Sequence, residues 1–215
     1  SPPNKRHYLC KTCTSLVNLK KEFECISCGK TSPAGLTCKL CLKDTSIDQM
    51  FATTNYKTPL VEELIKTLKY RFIQDIGLSL GLIIRRYVKW LAKYKKFDLF
   101  ADNPILIPIP LFYRRLNQRG FNQSEIIARQ LADNYLLKLD INILIRTEAS
   151  KPQADIKDPR LRLSNIGNIF KVLSPERIKD RTIILVDDVC TTGATLNQAA
   201  KALKASGAQK VIGFV

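Results

Sequence analysis

Apolar positions along the chain change period near its middle. Between Pro59 and Lys96 they recur at helical spacing. Leu60, Leu64, Ile65 and Leu68 line one face of a helix that Pro59 opens, and Ile76, Leu80, Ile83, Ile84, Tyr87, Val88 and Leu91 line a second over 73–96. Just upstream, Met50-Phe51-Ala52 with Asn55-Tyr56 predicts a short strand. From Asn103 onward, short apolar runs alternate with helical stretches. A strand at Ile105 to Ile107 precedes Pro108-Ile109-Pro110, a helix is expected over 122–137 and a strand near 141–145, and the chain closes on strand, helix and strand. Ile183 to Val186 is apolar at all four positions, as a buried central parallel strand requires, and a helix over Leu196 to Ala205 follows it. The pattern predicts an α/β fold: a parallel sheet with flanking helices.

The first 41 residues lack this texture and carry six of the seven cysteines. They form three pairs of one spacing: Cys10 with Cys13, Cys25 with Cys28, and Cys38 with Cys41. Two thiolates separated by two residues can address one ion from a tight turn, and Gly29 suits the left-handed turn such a knuckle needs. Two pairs complete a tetrahedral site. Cys25, Cys28, Cys38 and Cys41 are the favoured zinc set, because the nine residues between the inner pairs contain the compact turn Ser32-Pro33-Ala34-Gly35. Cys10 and Cys13 are either the remnant of a second ribbon or ligands of a second ion with His7. A disulfide framework is the competing reading, disfavoured by the cytosolic character of the rest. Zinc is then structural, since so few large apolar groups cannot hold this segment together. The expected division is a zinc ribbon over 1–46 and the α/β domain over 47–215.

With 35 Lys and Arg against 19 Asp and Glu, the formal charge of +16 asks for a polyanionic partner, nucleic acid first. The cations cluster late in the second helix, where Arg85, Arg86 and Lys89 precede Lys93, Lys95 and Lys96. Tyr87, Trp90 and Tyr94 interleave with them. Stacking platforms for single-stranded bases are one reading of these rings; core packing of an amphipathic helix is the favoured one. The longest apolar stretch, Ile76 to Ile84, is far shorter than the ~20 residues that span a bilayer, and the first residues carry no apolar signal core. No transmembrane segment and a cytoplasmic location are expected.

The central strand runs into Asp187-Asp188-Val189-Cys190-Thr191-Thr192-Gly193-Ala194-Thr195. In open parallel sheets the ligand crevice lies at the carboxyl ends of strands. Two adjacent carboxylates there can accept the hydroxyls of a ribose. Small residues let backbone amides close around a phosphate, threonine hydroxyls add donors, and the following helix offers its N-terminus. This chemistry suits a ribose 5-phosphate. A magnesium site of a hydrolase, or an ordinary turn before a threonine cap, would explain the aspartates but not the whole loop. The lysine of a Walker loop is missing. Cys190 reads as a small filler rather than a nucleophile, with no histidine near it.

These residues resemble the phosphoribosyl pyrophosphate (PRPP) motif of type I phosphoribosyltransferases. The wider pattern resembles the ComF family of bacterial DNA-uptake proteins: the cysteine pairs, Tyr56, Leu60 to Tyr70, Pro108-Ile109-Pro110, Arg115, Arg119-Gly120-Phe121-Asn122-Gln123, Gln153, Arg160, Asn165 and Phe170. The resemblance implies a phosphoribosyltransferase fold in which Asp187 and Asp188 bind the ribose hydroxyls, directly or around magnesium. Thr191 to Thr195 would cradle the 5-phosphate. The loop through Pro110 would face pyrophosphate, with Arg115 and Arg119 as pyrophosphate or DNA contacts. The stretch 147–163 would be the loop that covers the substrate, with Arg160 and Arg162 as phosphate or nucleic-acid contacts. Where purine-type relatives place an acid, this chain has Thr191, which speaks against that base chemistry. Two readings follow. One is a DNA-uptake protein that binds single-stranded DNA and PRPP, working with other uptake proteins at the inner face of the membrane. The other is a magnesium-dependent phosphoribosyltransferase acting on a nitrogenous acceptor.

Overall fold

The computed structural model describes residues 8–71, 73–147 and 169–215. At its centre lies a five-stranded sheet made of β1 (Gln49–Phe51), β2 (Ile105–Pro108), β3 (Lys138–Leu139), β6 (Thr182–Val186) and β7 (Lys210–Phe214), in the order β1-β7-β6-β2-β3. Every pairing is parallel. β6 is buried at all five positions and holds the middle, Ile183 lying level with Ile105 on one side and Val211 on the other.

Alternation along β6 divides its side chains between two apolar layers. Ile184 and Val186 face a layer shared with α2 (Pro59–Tyr70), α3 (Ile76–Lys95) and α5 (Gln123–Tyr135). Ile183 and Leu185 face the layer under α6 (Ala194–Ala205). In α2, Pro59 occupies the first turn, where its missing N–H costs nothing, and Val61, Leu64, Ile65 and Leu68 are buried at helical spacing. Leu68 is fully buried, so truncating it to alanine is worth about 2–5 kcal/mol of stability. α3 approaches α5 closely: a side-chain carbon added at Gly77 would collide with Ile126. Among the described residues no helix is long and apolar enough to cross a membrane.

The expected strand near 141–145 is replaced by two separate pieces. β3 ends earlier and joins the edge of the parallel sheet, whereas β4 (Leu144–Arg146) pairs antiparallel with β5 (Phe170–Val172) outside it. Asp140 makes the break. Its N–H donates to the Leu106 carbonyl at 2.9 Å, its Oδ1 accepts the Asn142 N–H at 3.1 Å, and its carboxylate pairs with Arg177. A side chain that bonds its own backbone two residues on turns the chain out of the sheet.

The cysteine-rich segment has little regular structure. It opens with the short helix α1 (Lys11–Leu16) and continues through isolated bridges, Glu24 to Thr31 and Leu36 to Gln49. It is tied to the sheet at several points. The Asp48 N–H donates to the Val211 carbonyl, the Lys20 N–H to that of Thr53, and Asn197 of α6 bonds both Ser46 and Asp44.

Candidate functional site

The loop from Asp187 to Thr195 leaves the carboxyl end of β6 and enters α6. Its first residue is fixed three times. The Asp187 N–H donates to the Phe214 carbonyl at 3.0 Å, and its Oδ1 accepts both the Ser124 hydroxyl at 2.8 Å and the Asp188 N–H at 2.9 Å. Burial pushes the Asp187 carboxyl up to about 6; the neighbouring charge of Asp188 adds to this, and the two hydrogen bonds and Lys69 oppose it. The Asp188 side chain is only 9% exposed, and Nζ of Lys69, at the end of α2, lies 2.8 Å from its Oδ2. That oxygen nevertheless makes no hydrogen bond of acceptable angle, so the contact is one of charge. A buried carboxylate oxygen without a directed donor, beside a second carboxylate, fits a hard divalent cation such as magnesium.

Beyond the aspartates, Val189 and Cys190 are half-buried, whereas Thr191, Thr192 and Ala194 are exposed. Burial raises the Cys190 thiol, and Asp187 adds to the effect, so the thiol stays protonated. Gly193 adopts φ 74°, caps α6, and is buried against Ile26, whose Cγ1 would stand 2.9 Å from any added side-chain carbon. Thr195 lies in the first turn of α6, among the N–H groups that no earlier helical carbonyl can accept.

The segment Arg119 to Ser124 braces the loop. Gly120, at φ 74°, ends α4 (Tyr113–Arg119). Asn122 caps α5 by accepting the Ser124 N–H, and its Nδ2 donates to the Ile109 carbonyl at 2.9 Å, tying the helix to the Pro108-Ile109-Pro110 turn. Arg119 donates to Gln123 at 3.0 Å and covers the Tyr70 ring. Arg115 is exposed one turn earlier. Arg146 of β4 joins this neighbourhood: burial and then the nearby Arg115 lower its affinity for its proton, while Asp187 opposes them. Arg115 and Arg146 are thus near enough to repel each other, with the Asp187 carboxylate nearby. Arg160 and Arg162 lie outside the described residues.

The Sγ atoms of Cys25, Cys28, Cys38 and Cys41 lie within 4.8 Å of one another, a cluster compatible with structural zinc. Cys28 and Cys38 are 3.9 Å apart, close to the ~3.8 Å edge of a tetrahedron with zinc–sulfur bonds of ~2.3 Å. Gly29 adopts φ 70°, as the knuckle requires. Burial works against a thiolate at Cys25, but the N–H groups of Cys28, Cys38 and Ser27 bring it down to about 6. Cys41 gains a lowering contact from Ser27, yet the crowd of Cys38, Cys28 and Cys25 pushes it up to about 12. Cys10 and Cys13 stand apart from this cluster: Cys10 caps α1 and accepts the Cys13 N–H at 3.4 Å. His7 lies outside the described residues.

Between the knuckle and the loop lies a cavity of about 730 Å³. Ile26, Phe23, Val61 and Ile84 line it together with Asp188 and Thr191. On α3, Arg85 and Lys89 are exposed one turn apart, with Lys93 continuing the row. Arg86 is engaged elsewhere, donating to the carbonyls of Thr14, Ser15 and Val17 at the end of α1. Trp90 and Tyr87 stack at 5.8 Å and Trp90 also meets Phe23, so these two rings are packed, while Tyr94 is exposed.

Three residues of the site were not assigned from sequence. Ser124 follows the recognisable motif directly, and only its place in the first turn of a helix beside a strand end marks it. Lys69 sits in a recognisable pattern that gives no role. Arg146 is one arginine among many, and nothing local distinguishes it.

A family model described as the phosphoribosyl transferase domain matches residues 116–215. The chain is 29% identical over 204 residues to the DNA utilization protein YhgH of Escherichia coli, covering 94% of this chain and 87% of that one. It is 30% identical over 176 residues to Competence protein F of Haemophilus influenzae, with 81% and 75% covered. To Competence protein ComFC of Bacillus subtilis it is 27% identical over 205 residues, with 93% and 79% covered. With a phosphoribosyltransferase-type sheet, a four-cysteine cluster ahead of it and relatives of this length and kind, the chain belongs to the ComF family.

Proposed function

We propose that this protein serves bacterial DNA uptake in the cytoplasm, binding single-stranded DNA on its basic surface and PRPP, with magnesium, in the loop from Asp187 to Thr195. The observation that carries the reading is the half-buried Asp187-Asp188 pair at the end of the central strand, next to exposed threonines and a helix start. Asp187 and Asp188 would hold the ribose hydroxyls and the divalent cation, which supplies charge neutralisation for pyrophosphate when bound. Thr191, Thr192 and the first N–H groups of α6 would hold the 5-phosphate. Arg115, Arg119 and Arg146 would meet the pyrophosphate side, and Arg160 and Arg162 a phosphate or the DNA. Zinc on Cys25, Cys28, Cys38 and Cys41 would keep the knuckle folded over the cavity. The names of the relatives support the DNA side, as does the charge of +16. Partner proteins of the uptake machinery at the inner face of the membrane belong to this reading.

The cavity favours a second reading. A partly apolar space of this size against Asp188 suits a nitrogenous heterocycle, and the protein would then be a phosphoribosyltransferase. Calorimetry separates the cases: PRPP with magnesium is titrated into the wild type and into an Asp187→Ala, Asp188→Ala variant, with and without single-stranded DNA. Saturable binding lost in the variant supports the site. No binding to the wild type would overturn it. Release of pyrophosphate on adding a nitrogenous base would move the balance to the enzyme.

A further inference from the structure

We propose that Lys69 is a built-in cation of the PRPP loop, holding the place on Asp188 that a divalent ion takes when ligand binds. The inference rests on reading the loop as a PRPP site and adds to it a positioning residue and an order of events.

Lys69 and Asp188 come from elements far apart in sequence, the end of α2 and the loop after β6. Their contact is more enclosed than the chain's exposed ion pairs: the Lys69 side chain is 22% exposed and that of Asp188 9%, against 70% and 60% for Arg71 and Glu63 nearby. A tie kept only for stability gains from hydrogen-bond geometry, since a desolvated pair without it returns little. Here the separation is 2.8 Å but Oδ2 receives no directed bond. The ammonium sits as a point charge would, on the oxygen of a residue that shares the cavity wall with Val189 and Thr191. Beside it, Asp187 is held by the Ser124 hydroxyl and the Asp188 N–H, both on Oδ1, so neither of these bonds occupies its second oxygen.

Two carboxylates side by side in a buried position need a compensating charge at all times. Lys69 supplies it in the free protein, and lysine suits the task better than arginine because a compact charge on a flexible stem can withdraw. Withdrawal has a local consequence. Lys69 precedes Tyr70, whose ring lies under Arg119 at 5.6 Å, and Arg119 also bonds Gln123 at the start of the helix that carries Ser124. Release of Asp188 by Lys69 therefore takes place one residue from the ring that Arg119 covers.

The test uses manganese as the probe ion, followed by the paramagnetic signal of the free ion. In the wild type, manganese alone should bind weakly and at least about tenfold more tightly with PRPP present. In Lys69→Met, manganese alone should bind at least about tenfold more tightly than in the wild type, since removing a cation this close shifts a carboxylate by one to three log units. Lys69→Arg should keep manganese alone weak but lose part of the gain that PRPP brings, because the guanidinium withdraws less readily, and Asp188→Asn in the Lys69→Met background should abolish the methionine variant's gain. Lys69→Gln replaces the methionine variant if that one does not fold. Equal manganese affinity in wild type and Lys69→Met, with both folded by thermal melting, would overturn the proposal and leave Lys69 a structural tie. Failure of the wild type to bind PRPP at all would instead sink the PRPP reading, while the comparison with manganese alone still decides the role of Lys69.

Discussion

The Ser124 hydroxyl donates to Asp187 Oδ1 at 2.8 Å, joining the first turn of α5 to the end of the central strand. Serine here has no bulk to contribute, and it is buried to 3% exposure. It directs a carboxylate. Ser124→Ala should therefore leave the fold intact and weaken PRPP binding by roughly tenfold, the usual scale for a hydrogen bond to a charged group. Calorimetry on the variant checks this, and unchanged affinity would mean that the Asp188 N–H alone orients Asp187.

A pH effect follows from the same carboxyl. Because burial raises Asp187 to about 6 in the folded protein, the native state holds a proton that the unfolded chain releases near its ordinary value of about 4. Stability from this group is fully present below about pH 4 and is lost as pH rises through about 6, a change of up to roughly 3 kcal/mol. Asp187→Asn keeps an acceptor for Ser124 and removes the titration. Urea melts across pH 4 to 7 should show the wild type losing stability relative to this variant; parallel curves would show that Asp187 does not carry the shift.

The legible parts of the fold were those set by local pattern. Ile183 to Val186 reads as a central strand because every position is apolar. The helices α2 and α3 read as helices because each keeps one apolar face, Leu64 and Leu68 in the first, Leu80, Ile84 and Leu91 in the second. The break at Asp140 was not legible. It depends on a pairing of the buried Asp140 carboxylate with Arg177, almost forty residues away, and on a bond to Leu106. The same holds within the site: the loop from Asp187 to Thr195 is continuous and visible, whereas Ser124, Lys69 and Arg146 reach it from three other elements. Arg86 shows the converse, a cation in a basic run whose donors the carbonyls of α1 already occupy.

Zinc removal should act on the loop as well as on the knuckle. Ile26 lies between Cys25 and Cys28 and rests on Gly193, while Phe23 packs against Trp90, the chain's one tryptophan. Chelation should release about one equivalent of zinc, change the Trp90 emission and weaken PRPP binding in step. A protein that loses zinc and keeps both emission and affinity would show the knuckle to be independent of the site.

Single-stranded DNA should meet the exposed cations of α3. Arg85, Lys89 and Lys93 stand in one exposed row on α3, whereas Arg86 holds three carbonyls of the α1 end. The two kinds of cation should therefore separate experimentally. Phosphate contacts release counterions, so each one contributes about 0.7 to the slope of log affinity against log salt for a single strand. Replacing Arg85, Lys89 and Lys93 by glutamate should weaken binding and flatten that slope by about 2, with little change in melting temperature. Arg86→Ala should do the reverse, lowering the melting temperature because the part-buried carbonyls of Thr14 and Val17 lose their donor, and leaving the salt slope in place. If the triple variant binds with the wild-type slope, the row is a solvated helix face, and the DNA contacts lie on another part of this basic surface.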